Sequence, residues 1–184
     1  MNQNLRSAPA SFAAEQAGVR KSASAALLVS ILILAVAWHF GVNWPLTPAS
    51  DSDRLAFVFR CELAIGFVLW AMIARVGAMR YFSRHDIGGV GNGPEGREIL
   101  VARAALQNTI EQSVLAIIAH SALALALPVN RMALIAALTG LFVVGRTTYW
   151  FGYPRGAAAR AFGFALTFYP TIIALAAALI FTFV

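Results

Sequence analysis

The sequence predicts an all-α integral membrane protein, and three observations carry that prediction. Of 184 residues, 60% are apolar and only 12% charged, with a mean hydropathy of +0.73. An ordinary soluble domain is about 45–50% apolar and about 25% charged. The apolar residues gather in five continuous runs, each near the roughly 20 residues that a bilayer-crossing helix needs. The net charge of +6 comes from basic residues lying between those runs rather than on one soluble face, the distribution of a membrane protein. That argues against nucleic acid as a partner. The lone cysteine, Cys61, excludes an intrachain disulfide framework and a cysteine-built metal site. Every basic residue except Lys21 is Arg, which is read as the mark of a GC-rich bacterial genome.

The runs are Ser22 to Phe40, Leu55 to Ala74, Ile99 to Leu127, Met132 to Phe151 and Ala161 to Val184. Lipid offers no partners to backbone amides, so a span is a helix or part of a closed barrel. Continuous apolar runs, not alternating ten-residue strands, select helices. Residues 1–21, rich in Ala, Ser, Gln and Asn, read as a flexible tail. Residues 22–54 read as the first span with its loop, and 55–184 as the other four spans. The Ala35-Val36-Ala37 triplet has the form of a signal-peptidase site. The long leading region favours a retained helix.

With the N-terminus in the cytoplasm, ten basic residues face inward: Arg6, Arg20, Lys21, Arg75, Arg80, Arg84, Arg97, Arg146, Arg155 and Arg160. Arg54 and Arg131 face outward. That asymmetry predicts a bacterial inner-membrane protein with a cytoplasmic N-terminus.

Several signals carry little. Gly91-Asn92-Gly93-Pro94-Glu95-Gly96 matches a dinucleotide fingerprint in form only, because a strand must precede that motif and here a span does. His39, His85 and His120 have no ligand spacing, so no metal site is expected. Arg60 and Glu62 sit two apart on one helix and so point apart. Snorkelling or a contact with another helix is the expected role of each.

The informative residues lie at one depth. Ionisable groups inside spans are costly, about 2.5–3.5 kcal/mol each at the centre. The third run opens with Arg103, Gln107, Asn108, Thr109, Glu111 and Gln112. Asn108 and Glu111, three apart, share a face. At the end of the fourth run Arg146, Tyr149 and Tyr153 form a helical stripe, and Arg160 follows seven residues later. Gly152 and Pro154 end that helix, which leaves Arg160 to open the fifth. Arg155 reads as a membrane anchor.

Gln107-Asn108-Thr109-Ile110-Glu111-Gln112, Gly145-Arg146 with Tyr149, Gly152 and Tyr153, and Arg160-Ala161-Phe162-Gly163 together resemble the membrane-associated proteins in eicosanoid and glutathione metabolism (MAPEG). The spacing of Arg146, Tyr149, Tyr153 and Arg160 is similar to that of the cysteinyl-leukotriene synthase and microsomal glutathione transferase branch. The resemblance covers residues 55–184. It implies a four-helix bundle that forms a homotrimer, with a glutathione site between subunits. It implies binding by Arg103, Asn108, Glu111 and Arg146, and catalysis by Arg160 with Tyr149 and Tyr153. The chain departs from the family at Ala104, where an arginine is usual; Arg103 stands one place earlier. It also has the extra first helix.

The residue types suit glutathione as co-substrate. Arginines bind its two carboxylates by forked hydrogen bonds, and Glu111 suits its ammonium. The thiol must ionise to attack, and the acceptor would be a lipophilic small molecule arriving from the bilayer. Two further readings stand beside a transferase or peroxidase: a non-catalytic protein of the same fold that presents a lipid to a partner, and a small transporter. The latter lacks paired broken helices.

Overall fold

The structure is a computed structural model, and it describes residues 12–43, 50–89 and 93–183. It is all-helical: α1 (Phe12–Phe40), α2 (Asp51–Tyr81), α3 (Arg97–Ala126), α4 (Ala133–Gly152) and α5 (Ala157–Phe183), with single 3-10 turns at Gly41–Asn43, Val129–Arg131 and Tyr153–Arg155. All five long helices have the length and composition to cross a membrane. Their outward faces carry Phe59, Phe67, Trp70, Val114 and Phe183, all exposed, which is stable only where the solvent is lipid.

The ends of the helices have local causes. Ser50 and Asp53 form a capping box at the start of α2, satisfying two of the amides that a helix start leaves free. Asp86 accepts the Gly96 amide at 2.8 Å and so closes the start of α3. Pro154 and Gly156, the latter at φ +105°, break the chain between α4 and α5. α1 begins at Phe12, ten residues before the apolar run. Residues 12–21, expected to belong to a tail, are helical and lean on α5, where Gly18 abuts Ala158. Residues 1–11 lie outside the described part, as do Gly91 and Asn92 of the glycine-rich stretch.

α2 runs antiparallel to α3. Arg54 at the start of α2 donates to the carbonyls of Ala124 and Leu127 at the end of α3, binding acceptors that the helix end leaves open. α4 and α5 form a tight hairpin. A Cβ on Gly145 would lie 2.5 Å from Thr167 Cγ2 and 3.0 Å from the Gly163 carbonyl, and one on Gly152 would lie 2.5 Å from the Ala159 carbonyl. Only glycine allows this approach. α1 runs beside α5 and ends against α4, where Gly41 meets Ala133. The main core joins Val58, Leu123, Ile135, Leu138 and Ala174. The starts of α1, α3 and α5 and the ends of α2 and α4 share one end of the bundle, the basic end.

Candidate functional site

The basic end of the bundle carries a ladder of cations and rings. Arg146, one turn before Tyr149 on α4, is fully buried. Its Nη1 donates to Asn108 Oδ1 at 2.9 Å and its Nη2 to Thr167 Oγ1 at 2.5 Å. Its guanidinium lies 4.3 Å from the Tyr149 ring centroid, close enough for a cation–π attraction. The Tyr149 and Tyr153 rings meet edge to face at 5.3 Å. Arg160, on the first turn of α5, lies 4.5 Å over the Tyr153 ring. The order is therefore Arg146, Tyr149, Tyr153, Arg160, as the helical stripe suggested. The tight α4–α5 turn brings the fourth member back onto the third.

Neither arginine of the ladder has a carboxylate among its described partners. Arg146 is held by neutral oxygens and rings, and its Nε has no partner. The charge is solvated by dipoles and not cancelled, so the ladder keeps a net positive field at the edge of a low-dielectric bundle. Beside it lies a cavity of about 490 Å³, lined by Arg75, Arg97, Glu98, Ala105, Trp150 and Tyr153. That volume lies in the range of small-molecule sites, roughly 300–1,000 Å³. Tyr153 belongs to both ladder and cavity.

The α3 residues divide. Asn108 turns inward to Arg146. Glu111 stays exposed and accepts from the Gln107 side chain at 3.1 Å. The expected shared face of Asn108 and Glu111 is thus split, since the 60° between them is enough for each side chain to take the partner on its own side. Arg103, also exposed, donates to Glu95 Oε2 at 2.5 Å. The same carboxylate accepts from Arg80 at 2.5 Å. These two hydrogen bonds hold the Glu95 carboxyl below its usual range, and those from Ser83 and the Gly96 amide do the same for Asp86. Arg103, Gln107 and Glu111 form a polar stripe on the open side of α3, apart from the ladder.

Some contributors were not foreseen. Thr167 follows Arg160 by seven residues, two helical turns, so extending the stripe would have reached it. Arg75 and Arg97, counted only among the inward-facing charges, line the cavity. Elsewhere Glu62 and His120 meet inside the bundle at 2.6 Å, the interhelix contact expected for Glu62, while Arg60 is exposed. Among the described residues no three His, Cys, Asp or Glu side chains converge as metal ligands.

A family model described as the MAPEG family matches residues 58–180. The chain belongs to the MAPEG family. The match takes in α4 and most of α2 and α5, all of α3, and every residue of the ladder; α1 lies outside it. Among curated proteins, this MAPEG chain is similar to mouse "Transmembrane protein 79", 28% identical over 72% of this chain and 33% of the relative. It is also similar to the bovine protein of that name, 27% identical over 82% of this chain and 38% of the relative. The chain thus spans about a third of the length of the curated relatives it matches, and neither name is that of a synthase or transferase. No solved structure matches the chain.

Proposed function

We propose that this MAPEG protein is a membrane transferase or peroxidase that uses glutathione against lipophilic electrophiles. The observation that carries the reading is the ladder: two arginines with no carboxylate among their described partners, joined through Tyr149 and Tyr153, the latter also lining the cavity at the basic end. In the transfer reaction the glutathione thiolate attacks an electrophilic carbon. A C–S bond forms, and the displaced electron pair passes to the leaving group or conjugated system. The thiol proton leaves to solvent. Arg160 stabilises the thiolate, with the hydroxyl of Tyr153 or Tyr149 assisting. Arg146 and Asn108 fix the ladder, and Arg103 and Glu111 are the expected contacts for the peptide's charged groups.

The polar stripe of Arg103, Gln107 and Glu111 supports a homotrimer. A polar stripe on the open side of a span would gain a protein neighbour in place of lipid. The arginine-rich end supports a cytoplasmic site in a bacterial inner membrane. A cysteine at Arg84 protected from impermeant reagent in intact cells, with one at Asn130 labelled, would support that orientation.

A second reading has its own observation. Glu95 already holds Arg103, and Ala104 stands where the family usually has arginine. That favours a non-catalytic protein that presents a lipid to a partner. Glutathione turnover by the purified protein in detergent separates the two. A free thiol has a pKa near 8.5, and lowering it by about two units takes about 2.7 kcal/mol. Arg160→Ala should therefore cut turnover about 100-fold while glutathione still binds. Equal turnover and equal thiol pKa in variant and parent would make Arg160 a membrane anchor only.

A further inference from the structure

We infer that α1 creates a seat for one acyl chain of an anionic phospholipid, at the end of the bundle opposite the basic one. α1 lies outside the family match, yet it is fastened to the bundle at three levels. At the basic end Gly18 abuts Ala158. At mid-height Ala26 and Ser30 are fully buried, and Ala26 packs with Leu141, Ala165 and Leu166. At the far end Gly41 abuts Ala133, and Arg131 donates to the Trp38 carbonyl. Between the second and third levels the helices part. The gap is a cavity of about 220 Å³ with no polar lining, walled by Leu34 and Trp38 of α1, Leu123 of α3, Leu138 of α4, and Ala174 and Ala177 of α5.

Water has no partner in such a space, and an empty gap forfeits the dispersion contacts of its whole lining. The fluid around the bundle is acyl chain, and small residues at 174 and 177 leave room for one. The head is specified by Arg131. Its guanidinium is pinned 4.4 Å over the Trp38 ring, the same ring that walls the cavity. It is the one charged residue of the described α3–α4 connection. Guanidinium has five donors, and one carbonyl and a ring do not exhaust them. A chain in the gap would place its phosphate by this cation, where charge-assisted hydrogen bonds hold it. The cavity shares no lining residue with the one at the basic end, so this site stands whether or not glutathione is the co-substrate.

The test reconstitutes the full chain in phosphatidylcholine nanodiscs and follows Trp38 fluorescence, taken as the parent signal minus that of Trp38→Phe. Phosphatidylglycerol brominated at mid-chain should quench Trp38 several-fold more than brominated phosphatidylcholine at the same mole fraction. Arg131→Gln should remove that preference. Ala177→Phe, which fills the gap, should remove the quenching while the helical circular dichroism is unchanged. Equal quenching by the two lipids in the parent overturns the inference. So does unchanged quenching in both variants. Quenching by a brominated free fatty acid, with none by phosphatidylglycerol, would assign the seat to a carboxylate and overturn the phospholipid.

Discussion

Two buried polar groups lie at different heights in the same bundle and are partnered in opposite ways. In the half away from the basic end, Glu62 meets His120 at 2.6 Å, with Thr139 at 3.5 Å. The Glu62 and His120 side chains are 6% and 1% exposed, and the second Glu62 oxygen has no partner. Near the basic end Arg146 is fully buried against Asn108, Thr167 and Tyr149. The first group closes on itself, and it lines neither the basic-end cavity nor the apolar one. The second, among its described partners, is held only by dipoles and rings. A pair closed on itself fastens helices together; a cation held by dipoles and rings keeps its charge. This contrast assigns the closed pair to fastening and leaves Arg146 with a charge that no described carboxylate cancels.

The comparison can be broken by removing one member of each group. Glu62→Leu strands the imidazole, and losing one partner of a buried pair costs about 3–5 kcal/mol. The double variant Glu62→Leu, His120→Leu should recover most of that, read as the denaturant midpoint in detergent. Arg146→Met leaves Asn108 and Thr167 to find other partners but strands no charge. Its cost should be smaller, about 1.5–3 kcal/mol for its charged hydrogen bonds. A larger loss for Arg146→Met than for Glu62→Leu would reverse the assignment.

Gly163→Ala tests the scaffold beneath the arginine. The new Cβ would lie 2.5 Å from the Gly145 carbonyl and collide with the Tyr149 backbone. Overpacking of this kind costs about 1–3 kcal/mol, and the variant should also disturb the tyrosine ladder, read in near-ultraviolet circular dichroism. The smallest effect concerns acid. Asp86 and Glu95 have lowered pKa values in the folded state, so the stability they add is present above the ordinary carboxylate range. It is lost as pH falls through their folded values. Hydrogen exchange at the Gly96 amide, bound to Asp86, should accelerate there beyond the intrinsic rate. No acceleration would show that the amide's protection does not depend on the carboxylate.

The helices were legible because span length and charge spacing are properties of one run of sequence. The order of Arg146, Tyr149, Tyr153 and Arg160 was legible for the same reason: it repeats at the helical period within α4 and resumes just after the turn. Glu62 and His120 were not paired in the sequence. They are 58 positions apart, and their meeting depends on the rotation and depth of two helices, which neither run encodes alone. Arg103 was expected at the peptide site and is held by Glu95. A loop carboxylate eight residues upstream competes for it, and that contact depends on how the loop folds back, which the apolar runs do not encode. The start of α1 was placed too late because its first turns are polar and helical at once. Gly18 lets them rest on Ala158, a packing cause that hydropathy does not register.

The glycine-lined contact between α4 and α5 has a consequence for recognition. Arg146, Tyr149, Tyr153, Thr167 and Arg160 all ride on these two helices, joined by a four-residue turn and touching backbone to backbone. Such a unit has little freedom to surrender, so a guest would find its contacts already arranged, and the entropy lost on association would fall on the guest and on α3. Discrimination among guests would then rest on shape and charge fixed in advance, and the adjustable wall would be the one that carries Asn108.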